Sequence, residues 1–187
     1  MREVDAIKND IDIQMITRKL QLNHKHNDAY ADIWSFGLQV ALRISDLLAL
    51  TVKEVVGANS ITVIEGKTGK TRLITLNEKA KEIVARRAND YPHDVYLFQA
   101  KGNRVGKATK AINRTTVAAS FSQVGTELCL NLGTHSMRKT RGYMMFSKGV
   151  PIETISKVLA HGNTSVTMRY IGLDAETISK TYEEFVL

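Results

Sequence analysis

Six polar side chains stand at positions where they could do chemistry. Arg43 sits inside the apolar run Ala41-Leu-Arg-Ile-Ser-Asp-Leu-Leu-Ala-Leu50, and Lys67 lies in the glycine-flanked turn Gly66-Lys-Thr-Gly-Lys-Thr71. His135 and Arg138 share Thr134-His-Ser-Met-Arg138, while His161 in Leu159-Ala-His-Gly-Asn163 precedes Tyr170 by nine residues. An arginine in an apolar stretch needs a carboxylate partner or a task. Here it stands just ahead of a helix that Ser45 is expected to cap. The i, i+3 spacing puts His135 and Arg138 on one face of a helix capped by Thr134. Taken one at a time, each has a structural reading: a paired arginine, a satisfied core histidine, a tyrosine packed at a helix end.

Other chemistries fail on spacing. The Gly66–Thr71 turn lacks the glycine a phosphate-binding P-loop needs five positions before its Gly-Lys. It also lies between strands, where a P-loop requires a helix after the loop. His24-Lys-His26 has no second pair at metal-ligand spacing, so no metal site is expected. No Gly-x-Ser-x-Gly turn marks a serine hydrolase.

The elements that must hold these residues are mostly helical. Ile13, Ile16 and Leu20, then Val117, Phe121, Val124 and Leu128, recur at helical spacing. Ile152, Ile155, Val158 and Leu159 follow Pro151, a residue suited to a first helical turn. Asp174 opens a last amphipathic segment, 174–187, carrying Ile178, Tyr182 and Phe185. Ser60–Ile64 and Arg72–Leu76 are short β-branched runs that read as a hairpin around the Lys67 turn. Lys101-Gly-Asn-Arg104 reads as a basic turn, and 108–114 as a polar loop or helix start. The expected fold is mainly α with a small antiparallel sheet, in one domain over 1–187.

With 187 residues and a net charge of +7, the chain is an ordinary globular size but basic. The excess is local: residues 61–150 carry 16 basic and 6 acidic side chains, against 7 and 8 before them. That block suits a polyanion, nucleic acid above all. Only 6% of residues are aromatic, which argues for gripping phosphates rather than stacking on unpaired bases. Early acidic residues (Glu3, Asp5, Asp10, Asp12) do not suit a secretory leader, and no apolar run reaches a membrane span. A single cysteine, Cys129, precludes an internal disulfide and suits a reducing compartment, so a cytoplasmic location is expected.

In their order the six residues closely resemble the catalytic pattern of the tyrosine recombinases, the phage integrase family. The pattern is Arg, a turn Lys, His-x-x-Arg, Leu-x-His and then Tyr. The resemblance covers roughly residues 10–187, including Arg43-Ile-Ser-x-Leu-Leu-x-Leu50 and Lys67-x-Gly-Lys-x-Arg72. It implies a catalytic set of Arg43, Lys67, His135, Arg138, His161 and Tyr170. Tyr170 would attack a DNA phosphodiester and leave a 3′-phosphotyrosine and a free 5′-hydroxyl. Two guanidiniums suit bidentate contact with the phosphate oxygens, a turn lysine suits protonation of the leaving oxygen, and the histidines suit proton transfer or phosphate contact. Lys70 is the alternative turn lysine. Neither metal, ATP nor any other cofactor is implied. Lys70, Arg72, Lys101, Arg104, Lys107, Lys110, Arg114 and Lys139 are expected to hold duplex phosphates around the site.

Two residues depart from the family's wording. Lys139 stands where many members have histidine, and Ala160 replaces the glycine of the usual Leu-Gly-His. The helical domain that commonly precedes the first arginine is expected to be absent. The resemblance also implies a homotetramer on two DNA sites, with segment 174–187 exchanged between protomers and a monomer or weak oligomer off DNA. Two alternatives share parts of this reading: a type IB topoisomerase-like relaxing enzyme, and a catalytically silent DNA-binding accessory protein.

Overall fold

Asparagine side chains start four of the helices. Asn9, Asn77, Asn113 and Asn163 each accept a hydrogen bond from an amide of the first turn of α1 (Asp10–Asn23), α5 (Glu78–Asp90), α6 (Arg114–Glu127) and α9 (Thr164–Tyr170). Each satisfies one of the amides a helix start leaves without a partner. The computed structural model describes residues 4–24, 27–101, 109–172 and 182–183. Its remaining helices are α2 (Ala29–Val40), α3 (Ile44–Leu48), α4 (Val52–Val55), α7 (Ser136–Ser147) and α8 (Ile152–Val158). The strands β1 (Ser60–Ile64) and β2 (Thr71–Thr75) form one antiparallel pair, with Ser60 opposite Thr75 and Ile64 opposite Thr71. Among the described residues the fold is therefore mainly helical with one two-stranded sheet, as expected, the second strand starting one residue early.

Two of the expected caps are corrected. Arg43, not Ser45, occupies the N-cap of α3, because the chain is still extended at residue 43 and Ser45 already lies inside the helix. His135, not Thr134, precedes α7, and it makes no side-chain cap bond. The hydroxyl that serves that turn is Ser136's, which accepts from the Gly133 amide at 3.2 Å. The expected helix 174–187 lies outside the described residues except for Tyr182 and Glu183.

α2 is the centre of the molecule. Ile33, Trp34 and Phe36 are fully buried, and Trp34 meets Phe121 of α6 edge-on at 5.8 Å. α1, α5 and α7 pack around α2. α7 approaches it so closely at Gly37 that an added Cβ would fall 2.3 Å from Met137 Sδ. A second, smaller core of Ala41, Ile155, Leu159 and Ile171 lies beneath α7, α8 and the end of α9. Gly142 is needed there, since a Cβ would meet Ile171 at 2.7 Å and Leu159 at 2.9 Å. These two contacts fix α7, and so its first turn, against α2 on one side and the α8–α9 pair on the other. Among the described residues no helix is long and apolar enough to cross a membrane.

Candidate active site

The backbone turns sharply after α2, where Ala41 takes φ +50°. That turn presents the Ala41 carbonyl to Arg138, which is 2% exposed on α7. Arg138 donates through Nη1 to Ala41 O and through Nη2 to Leu159 O at 2.6 Å, tying the approach to α3 to the end of α8. Charge-assisted bonds of this kind are the strong ones. Ala160, next in the chain, has φ +49°. A left-handed backbone explains why glycine is the usual residue at this position; an alanine there costs roughly 1 kcal/mol.

Arg43 enters the same site from the N-cap of α3. Its Nη1 lies 2.5 Å from Glu65 Oε2, and Arg72 Nη1 lies 3.1 Å from Glu65 Oε1. The Glu65 side chain is fully buried and also accepts from Thr68 Oγ1 at 2.8 Å. Burial opposes its ionisation, but the hydrogen bonds from Arg43, Thr68 and Arg72 outweigh it and hold the carboxyl below the usual glutamate range. Arg72 continues to the Val158 carbonyl at 2.5 Å, so hairpin, α3 and α8 are joined through one acid. A second acid, Asp46, accepts from the Gly66 amide at 3.2 Å. Glu65 and Asp46 thus anchor the turn that carries Lys67, closed by Gly69 N to Glu65 O at 2.8 Å and Glu65 N to Lys70 O at 3.0 Å. Both lysines of the turn are exposed. After burial and the charges of Arg138, Arg43 and Lys139, the Lys67 charge contributes to lowering the His135 pKa.

Tyr170 ends α9 and turns its hydroxyl into this cationic cluster. The hydroxyl lies 3.2 Å from His135 Nδ1, and the charge of Arg138 favours its ionised form. The His161 ring meets the tyrosine edge-on at 4.7 Å. His161 Nδ1 is 2.9 Å from Thr167 Oγ1, and the buried Thr167 hydroxyl contacts Ser156 Oγ at 2.9 Å, which orients the imidazole. Burial, reinforced by Arg138 and Arg43 and opposed by Glu65, lowers the His161 pKa to about 4. Burial and the charges of Arg138, Arg43, Lys139 and Lys67 lower that of His135 as well. Burial raises the Tyr170 pKa, while Arg138 and Arg43 pull it back. At neutral pH the site therefore holds neutral imidazoles beside a phenol and two guanidiniums, an arrangement able to receive an anion and move a proton.

Of the six sequence-predicted catalytic residues, His135 and His161 touch Tyr170 directly, the charges of Arg43 and Arg138 act on it, and that of Lys67 acts on His135. The expected DNA-contact set divides. Lys70, Lys110 and Arg114 are exposed. Lys101 is exposed but ion-paired with Asp94. Arg72 and Lys139, expected on the gripping surface, are instead drawn inside, Arg72 by Glu65 and Lys139 by the Tyr170 ring. Arg104, Lys107 and His26 lie outside the described residues. Glu65, Asp46, Ser156 and Thr167 had no sequence signal of their own: a search for groups that bind phosphate passes over acids and hydroxyls. Among the described residues no three potential metal ligands assemble. A cleft of about 880 Å³ opens beside the tyrosine, walled by α6, the Leu130–Thr134 segment, His135, Lys139 and Tyr170.

Comparison with known proteins bears on this geometry. A family model described as the phage integrase family matches residues 12–177. The chain is 33% identical over 186 residues to the probable integrase/recombinase YoeC of Bacillus subtilis, covering 99% of this chain and 98% of that protein. It is 26% identical over 147 residues to the tyrosine recombinase XerC of Pseudomonas fluorescens, covering 76% of this chain and 47% of XerC. The chain thus spans nearly all of YoeC but about half of XerC. Its fold superposes on the crystal structure of XerA recombinase with a TM-score of 0.70 at 16% identity, covering 97% of this chain and 65% of that one. A Tn1549 transposon integrase in complex with circular intermediate DNA gives 0.67 at 16% identity, covering 98% of this chain and 67% of the integrase.

Proposed function

The chain belongs to the phage integrase family, and from that membership and the site geometry we propose that it is a site-specific tyrosine recombinase that cuts and rejoins double-stranded DNA. The observation that carries this reading is the position of Tyr170: its hydroxyl meets His135 and its ring meets His161 of its own chain, within the positive field of Arg43 and Arg138. The nucleophile is thereby presented in cis.

In this mechanism a DNA phosphate enters between Arg43 and Arg138, whose guanidiniums stabilise charge developing on the non-bridging oxygens. Tyr170 Oη attacks phosphorus and passes its proton to His135, which is neutral at pH 7 and can accept at Nδ1 when its proton is on Nε2. The bond from phosphorus to the 5′-oxygen breaks, and Lys67 supplies the proton that makes that oxygen a hydroxyl. The products are a 3′-phosphotyrosine and a 5′-hydroxyl strand end. Reversal with a different 5′-hydroxyl rejoins the DNA, and the ester keeps the bond energy, so ATP has no role. The Arg and Lys side chains supply the positive charge the reaction needs, and the neutral histidines accept or pass protons.

Lys70, Lys110 and Arg114, exposed on the hairpin turn and at the start of α6, are assigned to flanking phosphates. Assembly is proposed as a homotetramer on two DNA sites, with the chain monomeric or weakly associated off DNA, in the cytoplasm. A supercoiled plasmid bearing two copies of a site selected from a random duplex library tests this reading. Recombinant circles that depend on both copies support it. Relaxation of any plasmid without exchange would make the chain a topoisomerase-like enzyme, and neither product would leave it a binding protein.

A further inference from the structure

The nucleophile is held on three sides, and only two of them are histidines. Lys139 Nζ stands over the Tyr170 ring, 5.3 Å from its centroid, and the residue is 7% exposed. On α7 the Lys139 amide bonds to the His135 carbonyl at 3.0 Å, so the two side chains leave the same face one turn apart. His135 meets the hydroxyl, and Lys139 meets the ring face. His161 closes the third side at 4.7 Å. An ammonium over an aromatic face is attracted by the ring quadrupole.

We propose that Lys139 is a positioning residue for the nucleophile: its ammonium, held over the Tyr170 ring, fixes the ring in line and favours the phenolate during attack. This role rests on Tyr170 being the nucleophile. Ionising a phenol spreads negative charge into the ring, so a cation above the face is worth more to the phenolate than to the phenol. Arg43 and Arg138 also favour the phenolate, against the burial that opposes it. Those guanidiniums are the groups a phosphate would engage, whereas Lys139 remains on the ring. Among the described residues the other charged or titratable groups around the ring are Arg43, Arg138, His135 and His161, with Asp5, Lys8, Asp12 and Cys129 lining the cavity that Lys139 and Tyr170 share. None of these stands over the ring face as Lys139 does.

The test is single-turnover formation of the covalent adduct by the full chain across pH 6–10. The probe is a nicked suicide duplex carrying a half-site selected from a random duplex library. Lys139→Met should form adduct on the order of tenfold more slowly at neutral pH, with the deficit shrinking as pH rises. Lys139→Arg should recover most of the rate and keep the rising limb of the profile where the parent has it. Affinity for the same duplex, measured in a Tyr170→Phe background, should not change with Lys139→Met. A Met variant as fast as the parent at every pH would overturn the proposal. So would a pH-independent loss accompanied by weaker DNA binding, which would make Lys139 a phosphate contact. If the Met variant does not fold, the Arg variant decides alone: a rising limb moved from the parental position contradicts the role. Adduct formation by the Phe variant would instead remove Tyr170 as nucleophile, and is a separate failure.

Discussion

Glu65→Ala removes an acid from the middle of the proposed phosphate-binding site, and it should weaken the protein rather than free its arginines. The carboxylate is fully buried and neutralises Arg43 at 2.5 Å and Arg72 at 3.1 Å, besides accepting from Thr68 at 2.8 Å. Removing one partner of a buried ion pair costs about 3–5 kcal/mol, because the charge left behind has lost its counter-ion. Arg43 and Arg72 side chains retain 17% and 12% exposure, so water recovers part of that cost. The lower end, about 3 kcal/mol, is therefore expected. For a chain of this size that is a fall in Tm of about 6–12 °C. Thermal unfolding followed by circular dichroism at pH 7 measures it. Glu65→Gln should fall nearly as far, since an amide cannot neutralise two guanidiniums. A double-mutant cycle with Arg43→Ala should show coupling above about 1 kcal/mol. The carboxyl pKa is depressed in the native state, so this contribution is present above the ordinary glutamate range and is lost as pH falls through the lower, folded value. A Tm change under about 2 °C together with an additive cycle would refute the reasoning, as the acid would then be dispensable to the arginines.

Lys67→Ala should slow cleavage by roughly 10²–10⁴-fold, and a substrate with sulfur in place of the 5′-bridging oxygen should largely rescue it. Rescue of Lys70→Ala and not of Lys67→Ala would show that the wrong lysine of the turn carries the proton. His161, followed by NMR, should titrate near a pKa of about 4 rather than in the ordinary histidine range. Between those values the unfolded chain binds a proton that the native chain refuses, so stability from this group rises with pH across that window and is flat above it. A midpoint near the ordinary value would place the ring in water. Lys110→Ala and Arg114→Ala should each reduce the slope of log affinity against log salt by about 0.9; an unchanged slope would take the start of α6 off the DNA.

The helices with a clean stripe were legible, and so was the hairpin, because β-branched runs flank a turn rich in glycine and lysine. α2 was not. In Ala29–Val40 nearly every residue is buried, including Asp32, so no polar face sets the period. α5 was obscured differently: its buried stripe of Ala80, Ile83 and Val84 ends in Arg87, a charge that the fold neutralises with Asp28 and Asp32 of another segment. The proposed catalytic set stood out in the sequence because its order and spacing match a chemical pattern. The acids that hold it did not, since Glu65 and Asp46 act on backbone and arginines that only the fold brings near. For the same reason Arg72 and Lys139 read as surface cations until the fold turned them inward.

The most direct measurement of the central claim is the identity of the residue bonded to DNA. The full chain is incubated with a nicked suicide duplex, whose free 5′-oligonucleotide diffuses away after cleavage, and the trapped complex is digested for mass spectrometry. The account predicts a single phosphodiester on the peptide containing Tyr170, attached to the 3′ end of the cut strand. Tyr170→Phe, which keeps the ring between His161 and Lys139, should bind the duplex with unchanged affinity and yield no adduct. A covalent complex with the phenylalanine variant, or an adduct mapped to any other side chain, would contradict it.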